Sequence, residues 1–225
     1  MKNPFSDFQP ASAPRHRHRV ESFHLENEAL TQSWMEDYKA ILTDELDNLY
    51  WQASPEHLAS VYNRILAGIG GSDYSRHDIE SFLARLDQAD PVPLRLPGPT
   101  GLFLSALVNC CREAVITVFT HGLQHPVHFV GYRLPQGKAL TVNGNTGDFA
   151  GAGLCGGALT VNGSTGNWCG AGMTSGSIRI RGDAGMHAGQ WMHGGTLHVD
   201  GAVGSIGKDR FGGRLYHHDG CDQPA

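Results

Sequence analysis

The side chains best suited to hold a metal ion lie close together in the last part of the chain: His217, His218, Asp219 and Cys221. Imidazole, carboxylate and thiolate are the donors of a zinc-type centre, and such a set would serve a stand-alone metal-dependent enzyme. These residues follow the last regular unit of a repeat and read as a frayed tail, so adventitious metal affinity is the simpler expectation. His187, His193 and His198 form a second set, distributed over two successive units, and a polar, partner-facing surface accounts for them. Gly151-Ala152-Gly153-Leu154-Cys155-Gly156 satisfies GxGxxG, which cradles a dinucleotide when a strand precedes it and a helix follows. No helical pattern follows, and the next unit copies the segment as Gly170-Ala171-Gly172-Met173-Thr174-Ser175. Arg181-Gly182-Asp183 is a strand-end corner of the same repeat. Nucleophilic catalysis needs a Ser or Cys beside a His and a carboxylate. There is no GxSxG, and Cys155 and Cys169 have no counterpart in the other units, so both read as small buried hydrophobes. The sequence therefore assigns no catalytic, cofactor-binding or metal-binding residue, and no cofactor.

Nearly all of these residues fall inside one repeating stretch, Lys138 to Gly213. In register it reads KALTVNGNTGDFAGAGLCG, GALTVNGSTGNWCGAGMTS, GSIRIRGDAGMHAGQWMHG and GTLHVDGAVGSIGKDRFG, three units of 19 residues and one of 18. A period of about 20 residues is the mark of a stacked solenoid. Within each unit two aliphatics alternate with polar residues: Leu140 and Val142, Leu159 and Val161, Ile178 and Ile180, Leu197 and Val199. Alternation of period two puts them on one face of a strand. No single unit can bury that face, but a stack of units can. Glycines recur at the strand ends (Gly144, Gly163, Gly182, Gly201), three residues on (Gly147, Gly166, Gly185, Gly204), and again at Gly151, Gly170 and Gly189. Leu154, Met173 and Met192 form a further candidate inward column, as do Phe149 and Trp168. His187 breaks the latter, which makes it a candidate solvent-facing or interface position.

The first half is built differently. The stretch 1–23 is polar, carries the basic run Arg15 to Arg19, and reads as a flexible tail. The region 24–90 reads as α-helical. Leu30, Trp34, Tyr38, Ile41, Leu42, Leu46 and Leu49 give a helix over 26–51. Ser54 and Pro55 start a second, with Leu58, Val61, Tyr62, Ile65 and Leu66, and Ser75 caps a third, with Ile79, Phe82, Leu83 and Leu86. The region 91–113 is a Pro-rich linker followed by an apolar segment that suits a helix. Residues 114–120 read as a strand and as an irregular first rung. Phe119 lies 19 residues before Lys138, and 125–130 forms the return segment. The solenoid spans 114–218, and 219–225 is a tail.

Composition sets further bounds. The chain of 225 residues has a net charge of −5, against a general nucleic-acid binder or an anionic-membrane binder. Thirty glycines are about twice the usual share. Five cysteines, none in CxxC spacing, with no apolar leader, fit reduced thiols in a cytoplasm. No apolar run is long enough to span a membrane.

The repeat pattern G-x-(I/L)-x-V-x-G-x-x-G-x-x-x-G-x-x-(M/L)-x-G-G resembles the GXGXG β-helix family. The matches are strongest at Gly144 to Gly151, at Gly182 to Gly189, and at Met192 with Gly194-Gly195. That family includes the C-terminal domain of the glutamate synthase large subunit and the C subunit of formylmethanofuran dehydrogenase, with its related bacterial formyltransferase/hydrolase complex. The uninterrupted 19-residue units are more similar to the formylmethanofuran type. The resemblance covers about 131–216 and implies a right-handed parallel β-helix without catalytic residues. It implies a scaffold that packs against larger catalytic subunits of a hetero-oligomeric enzyme in one-carbon metabolism, or alternatively in an amidotransferase complex. Edge-to-edge pairing into a homo-oligomer is a third reading.

Overall fold

The computed structural model describes residues 17–44, 55–88, 98–121, 123, 125–218 and 220–222. Four helices come first: α1 (Arg17–Asp44), α2 (Pro55–Ile69), α3 (Arg76–Gln88) and α4 (Gly98–Cys110). Seven strands follow: β1 (Val115–Phe119), β2 (Ala139–Asn143), β3 (Cys155–Val161), β4 (Ser175–Ile180), β5 (Thr196–Val199), β6 (Arg214–His217) and β7 (Gly220–Asp222). They form one sheet in chain order, parallel from β1 to β6. This is a mostly parallel β-solenoid with rungs of about 19 residues, preceded by helices, as the repeat requires.

The helices begin where local chemistry places them. α2 starts at Pro55, whose missing N–H costs nothing in a first turn. α3 follows Ser75, and Asp78 reaches back to accept from both the Ser75 N–H (2.8 Å) and its Oγ (2.9 Å), a capping box built with Asp. Two boundaries differ from the sequence reading. α1 begins at Arg17, inside the expected tail, because extending a packed helix by one residue costs far less than nucleating one. α4 takes its first turn from Gly98, Pro99 and Thr100, the end of the expected linker, where a proline is tolerated. Leu46, Leu49, Ser54 and most of the Pro-rich run lie outside the described residues.

The helices share an aromatic core. Trp34 meets Tyr74 edge to face at 4.8 Å, and Phe82 stacks on Phe103 at 5.1 Å. α4 is apolar all round, with Leu102, Phe103, Leu104, Ala106, Leu107 and Val108 buried, because it has the helical layer on one side and the solenoid on the other. Ser105 Oγ donates to the Phe129 carbonyl and accepts from the Tyr132 N–H. Gly101 presses on the His128 carbonyl so closely that no Cβ fits. Helices and solenoid are thus joined in one contiguous core through α4.

Leu140, Leu159, Ile178, Leu197 and Leu215 form one buried column of the stack, and Val142, Val161, Ile180 and Val199 another. Each fully buried aliphatic contributes about 1.5–3 kcal/mol. The first rung is 24 residues long, because Ile116 pairs with Leu140 and Phe119 with Asn143. The expected 19-residue offset would have placed Ile116 beneath Pro135. The longer rung puts Ile116 and Val118 beneath Leu140 and Val142, and burial of the apolar face fixes the register. The return segment lies where expected, with the Gly147 N–H donating to the Val127 carbonyl and the Phe129 N–H to that of Asp148. At the far end β6 is a further parallel rung, and β7 pairs with it antiparallel, covering an edge that would otherwise be open.

Candidate functional site: the outward faces of the solenoid

The C-terminal histidines are not in a frayed tail. His217 ends β6, and Cys221 is exposed on β7 opposite Tyr216. Asp219 lies outside the described residues. Among the described residues no three His, Cys, Asp or Glu side chains are grouped to hold a metal ion. His187, His193 and His198 have separate partners. His187 stacks on Trp168 (5.4 Å), His193 lies against Phe211 (4.8 Å), and His198 Nδ1 is 2.9 Å from Asp200 Oδ1.

The GxGxxG segment runs into β3, a strand, and Gly151 (φ +68) is packed so tightly that a Cβ would strike Ile178. Arg181 Nε donates to Asn162 Oδ1, while Asp183 Oδ1 accepts from the Ala202 N–H, so that tripeptide is taken up by the stack. Cys169 is buried between Ala150 and Ala188 in a small-residue column, and burial pushes its thiol up to about 12, although Thr165 opposes the shift. Cys155 departs from expectation. It is exposed, because the start of β3 lies at an irregularity in the pairing with β4.

Phe149 and Trp168 are half-buried and are not part of the buried core itself, although Phe149 packs against it. Phe129, Phe149, Trp168 and His187 form a continuous ring stack along the stack axis, at 4.7, 5.0 and 5.4 Å. His187 continues this column. All four residues have left-handed backbone, with φ between 55° and 61°. Ring stacking offsets conformations that ordinarily favour glycine.

Two ladders of side chains flank the stack. Asn145 Oδ1 accepts from the Ser164 N–H, Ser164 Oγ from the Asp183 N–H, and Asp183 Oδ1 from the Ala202 N–H. In the second, Asp148 Oδ1 accepts from the Asn167 N–H and Asn167 Oδ1 from the Met186 N–H. His128 begins this ladder. Its Nδ1 accepts from the Asp148 N–H at 2.9 Å, which requires an unprotonated Nδ1. Burial pushes the His128 pKa below its ordinary value, and the Asp148 carboxylate, 3.7 Å away, opposes this.

Across the outward face of the sheet the register aligns Thr117, Thr141, Thr160, Arg179, His198, Tyr216 and Cys221. The first three strands present uncharged residues in this row. On β4 and β5, Arg179 makes a bidentate pair with Asp200 (3.1 and 3.2 Å) that also engages His198. The Asp200 carboxylate offsets the Arg179 charge and holds the guanidinium in one orientation on the outward face. One polar knot was not anticipated from the sequence. Cys111 Sγ donates to Glu113 Oε2 (2.9 Å), and Lys138 Nζ donates to the Cys111 and Glu113 carbonyls. The Arg76 N–H also donates to Glu113. Burial and the Glu113 partner push the Cys111 thiol to about 11, so it stays protonated and ties α3 and α4 to the start of the sheet. The sequence signal for it was weak, since no fixed spacing links Cys111 to Lys138.

No protein-family model, no curated protein and no solved structure matches this chain. Among the described residues no helix is long and apolar enough to cross a membrane.

Proposed function

We propose that the chain is a non-catalytic scaffold subunit of a multi-subunit enzyme. The reading follows the likeness of its repeat to the C subunits of formylmethanofuran dehydrogenase and formyltransferase/hydrolase complexes. The role is to hold larger catalytic subunits in position, in one-carbon chemistry or, as the alternative within the same family, in an amidotransferase of the glutamate synthase type. The observation that carries it is the outward sheet face, where Arg179, His198 and Asp200 are fixed by one another beside a flat, uncharged surface on β1 to β3. Rigid polar groups on a regular face supply the electrostatic complementarity that sets partner choice. Val115 and Phe119, 66% and 52% exposed on β1, add apolar area at its edge.

The test is affinity recovery of the tagged chain from its native source at native abundance, after mild cross-linking. Larger enzyme subunits are expected in fixed stoichiometry, and Arg179→Glu should release them. Recovery of the chain alone, as monomer or as self-associated oligomer, overturns the proposal.

A further inference from the structure

Arg179 on β4 and Arg181 just past its end are both exposed on the outward face, two residues apart, and their charges are handled differently. Arg179 is neutralised by Asp200. Arg181 is held in place without being neutralised. Its Nε donates to Asn162 Oδ1 (3.1 Å), and Asn162 Nδ2 donates in turn to Asn143 Oδ1 (2.7 Å). Asp200 is its neighbour in the next rung, but both carboxylate oxygens of Asp200 accept from Arg179. Among the described residues no carboxylate lies within ion-pair distance of Arg181, and its two terminal nitrogens have no partner. An amide oxygen orients a guanidinium without cancelling its charge. A full positive charge with unused donors therefore stands fixed on this face.

The column that holds Arg181 shows what would meet it. The N–H groups of Arg181 and Asn162 donate to Val161 and Val142 one rung back, and Asn143 pairs with Phe119 on β1. The column thus runs Phe119, Asn143, Asn162, Arg181. Phe119 touches His121 edge to face and is still 52% exposed. The equivalent places in the following rungs are polar, so the repeat itself does not call for an exposed ring there. With rungs about 4.8 Å apart, Phe119 and Arg181 stand about 14 Å apart along the column. Four residues of extended chain cover the same span at about 3.4 Å each, and residues four apart point to the same side. An apolar side chain and a carboxylate four residues apart in an extended segment therefore reach Phe119 and Arg181 together. The chain carries a net charge of −5, which repels a long acidic tract, so the fit is to one carboxylate at one place.

We infer that this column docks an extended segment of a partner protein that carries an apolar residue and, four positions away, an Asp or Glu. The terminal nitrogens of Arg181 take the carboxylate in two parallel charge-assisted hydrogen bonds. Phe119 covers the apolar residue, and Asn143 and Asn162 offer polar contact between them. Asn162 is a positioning residue, because it acts by holding Arg181 in the orientation that the carboxylate needs. The inference rests on the reading that the outward face meets a partner, and not on which enzyme that partner belongs to.

Titration of the isotope-labelled full chain with a capped five-residue peptide tests it, the peptide having leucine first, glutamate last and serines between. The readout is the backbone amide signals of β2 to β4. Saturable binding is expected, and glutamine in place of the peptide's glutamate should weaken it by about 10-fold. Arg181→Gln should do the same, and Arg181→Lys nearly as much, because it keeps the charge but not the planar fork. Asn162→Ala keeps every charge and should weaken binding by about 3-fold through lost orientation alone. Arg181 and Asn162 are exposed, so these variants keep the fold. Equal binding of the glutamate and glutamine peptides, or of wild type and Arg181→Gln, overturns the inference. An equal response to sodium phosphate at the same concentration also overturns it, by making Arg181 a simple anion site. Peptide binding that needs Arg181, in a chain that recovers no larger subunits from its native source, supports the inference and retires the scaffold reading alone.

Discussion

The helical layer and the solenoid solve the same burial problem in opposite ways. The helices use large aromatics in contacts that occur once, such as Trp34 with Tyr74 and Phe82 with Phe103. The solenoid uses small and medium aliphatics in contacts that recur every rung, with glycines where corners turn. Repetition spreads stability over equivalent neighbours, so a defect in one rung is borne locally. A one-off aromatic cluster concentrates stability, and α4 links the two regimes because both pack against it.

Substitutions can break that comparison. The largest effect is expected at the joint. Phe103→Ala should cost about 3–5 kcal/mol in urea denaturation and should lower the unfolding midpoint of helices and sheet together. Separate transitions for far-ultraviolet helix and sheet signals would mean that the two layers are independent. In a middle rung, Ile178→Ala should cost about 2–5 kcal/mol, towards the lower end if the stack relaxes around the loss. The ring column should respond next. Trp168→Ala removes two stacking partners and keeps the backbone strain, at about 1–3 kcal/mol. Trp168→Gly should cost less than Trp168→Ala, reversing the usual order, because glycine adopts the left-handed backbone freely. Equal losses would place the strain elsewhere.

The ladders should show the smallest effects. Ser164→Ala leaves the Asp183 N–H without its acceptor and should cost about 0.5–1.5 kcal/mol. His128 makes its ladder pH-dependent. Its pKa is lowered on folding, so the unfolded chain binds the extra proton more readily. The His128 contribution is complete above the ordinary value of 6.5 and is lost as pH falls below it. Thermal unfolding from pH 7.5 to 5 should show that loss. His128→Asn should remove it, because Asn167 already fills the equivalent role with an amide oxygen. An unchanged pH profile in that variant would assign the dependence to other groups.

Much of the solenoid was legible because its information is local and repeated. The spacing of Leu140, Leu159, Ile178 and Leu197 specifies both period and inward face, and four copies average out the ambiguity of each. The first rung was misaligned by five residues for want of that redundancy: it occurs once, and only burial of Ile116 and Val118 against β2 selects its length. The same limit applies to Phe149 and Trp168. Hydrophobicity suggests an interior column, whereas the rings are half-buried and lie on one another in a stack that His187 can extend as well as a phenyl ring can.

By itself, the sequence determined the rung length, the aliphatic columns, the glycine corners, the Pro55 start of α2 and the cap of α3, because each depends on residues within a few positions or at one fixed interval. Only the tertiary structure decided that α4 joins the helices to the first rung, that Cys111, Glu113 and Lys138 form one knot, and that Phe129, Phe149, Trp168 and His187 stack ring on ring. Those features arise where segments without a common period meet, and their geometry is fixed by packing that no local pattern encodes.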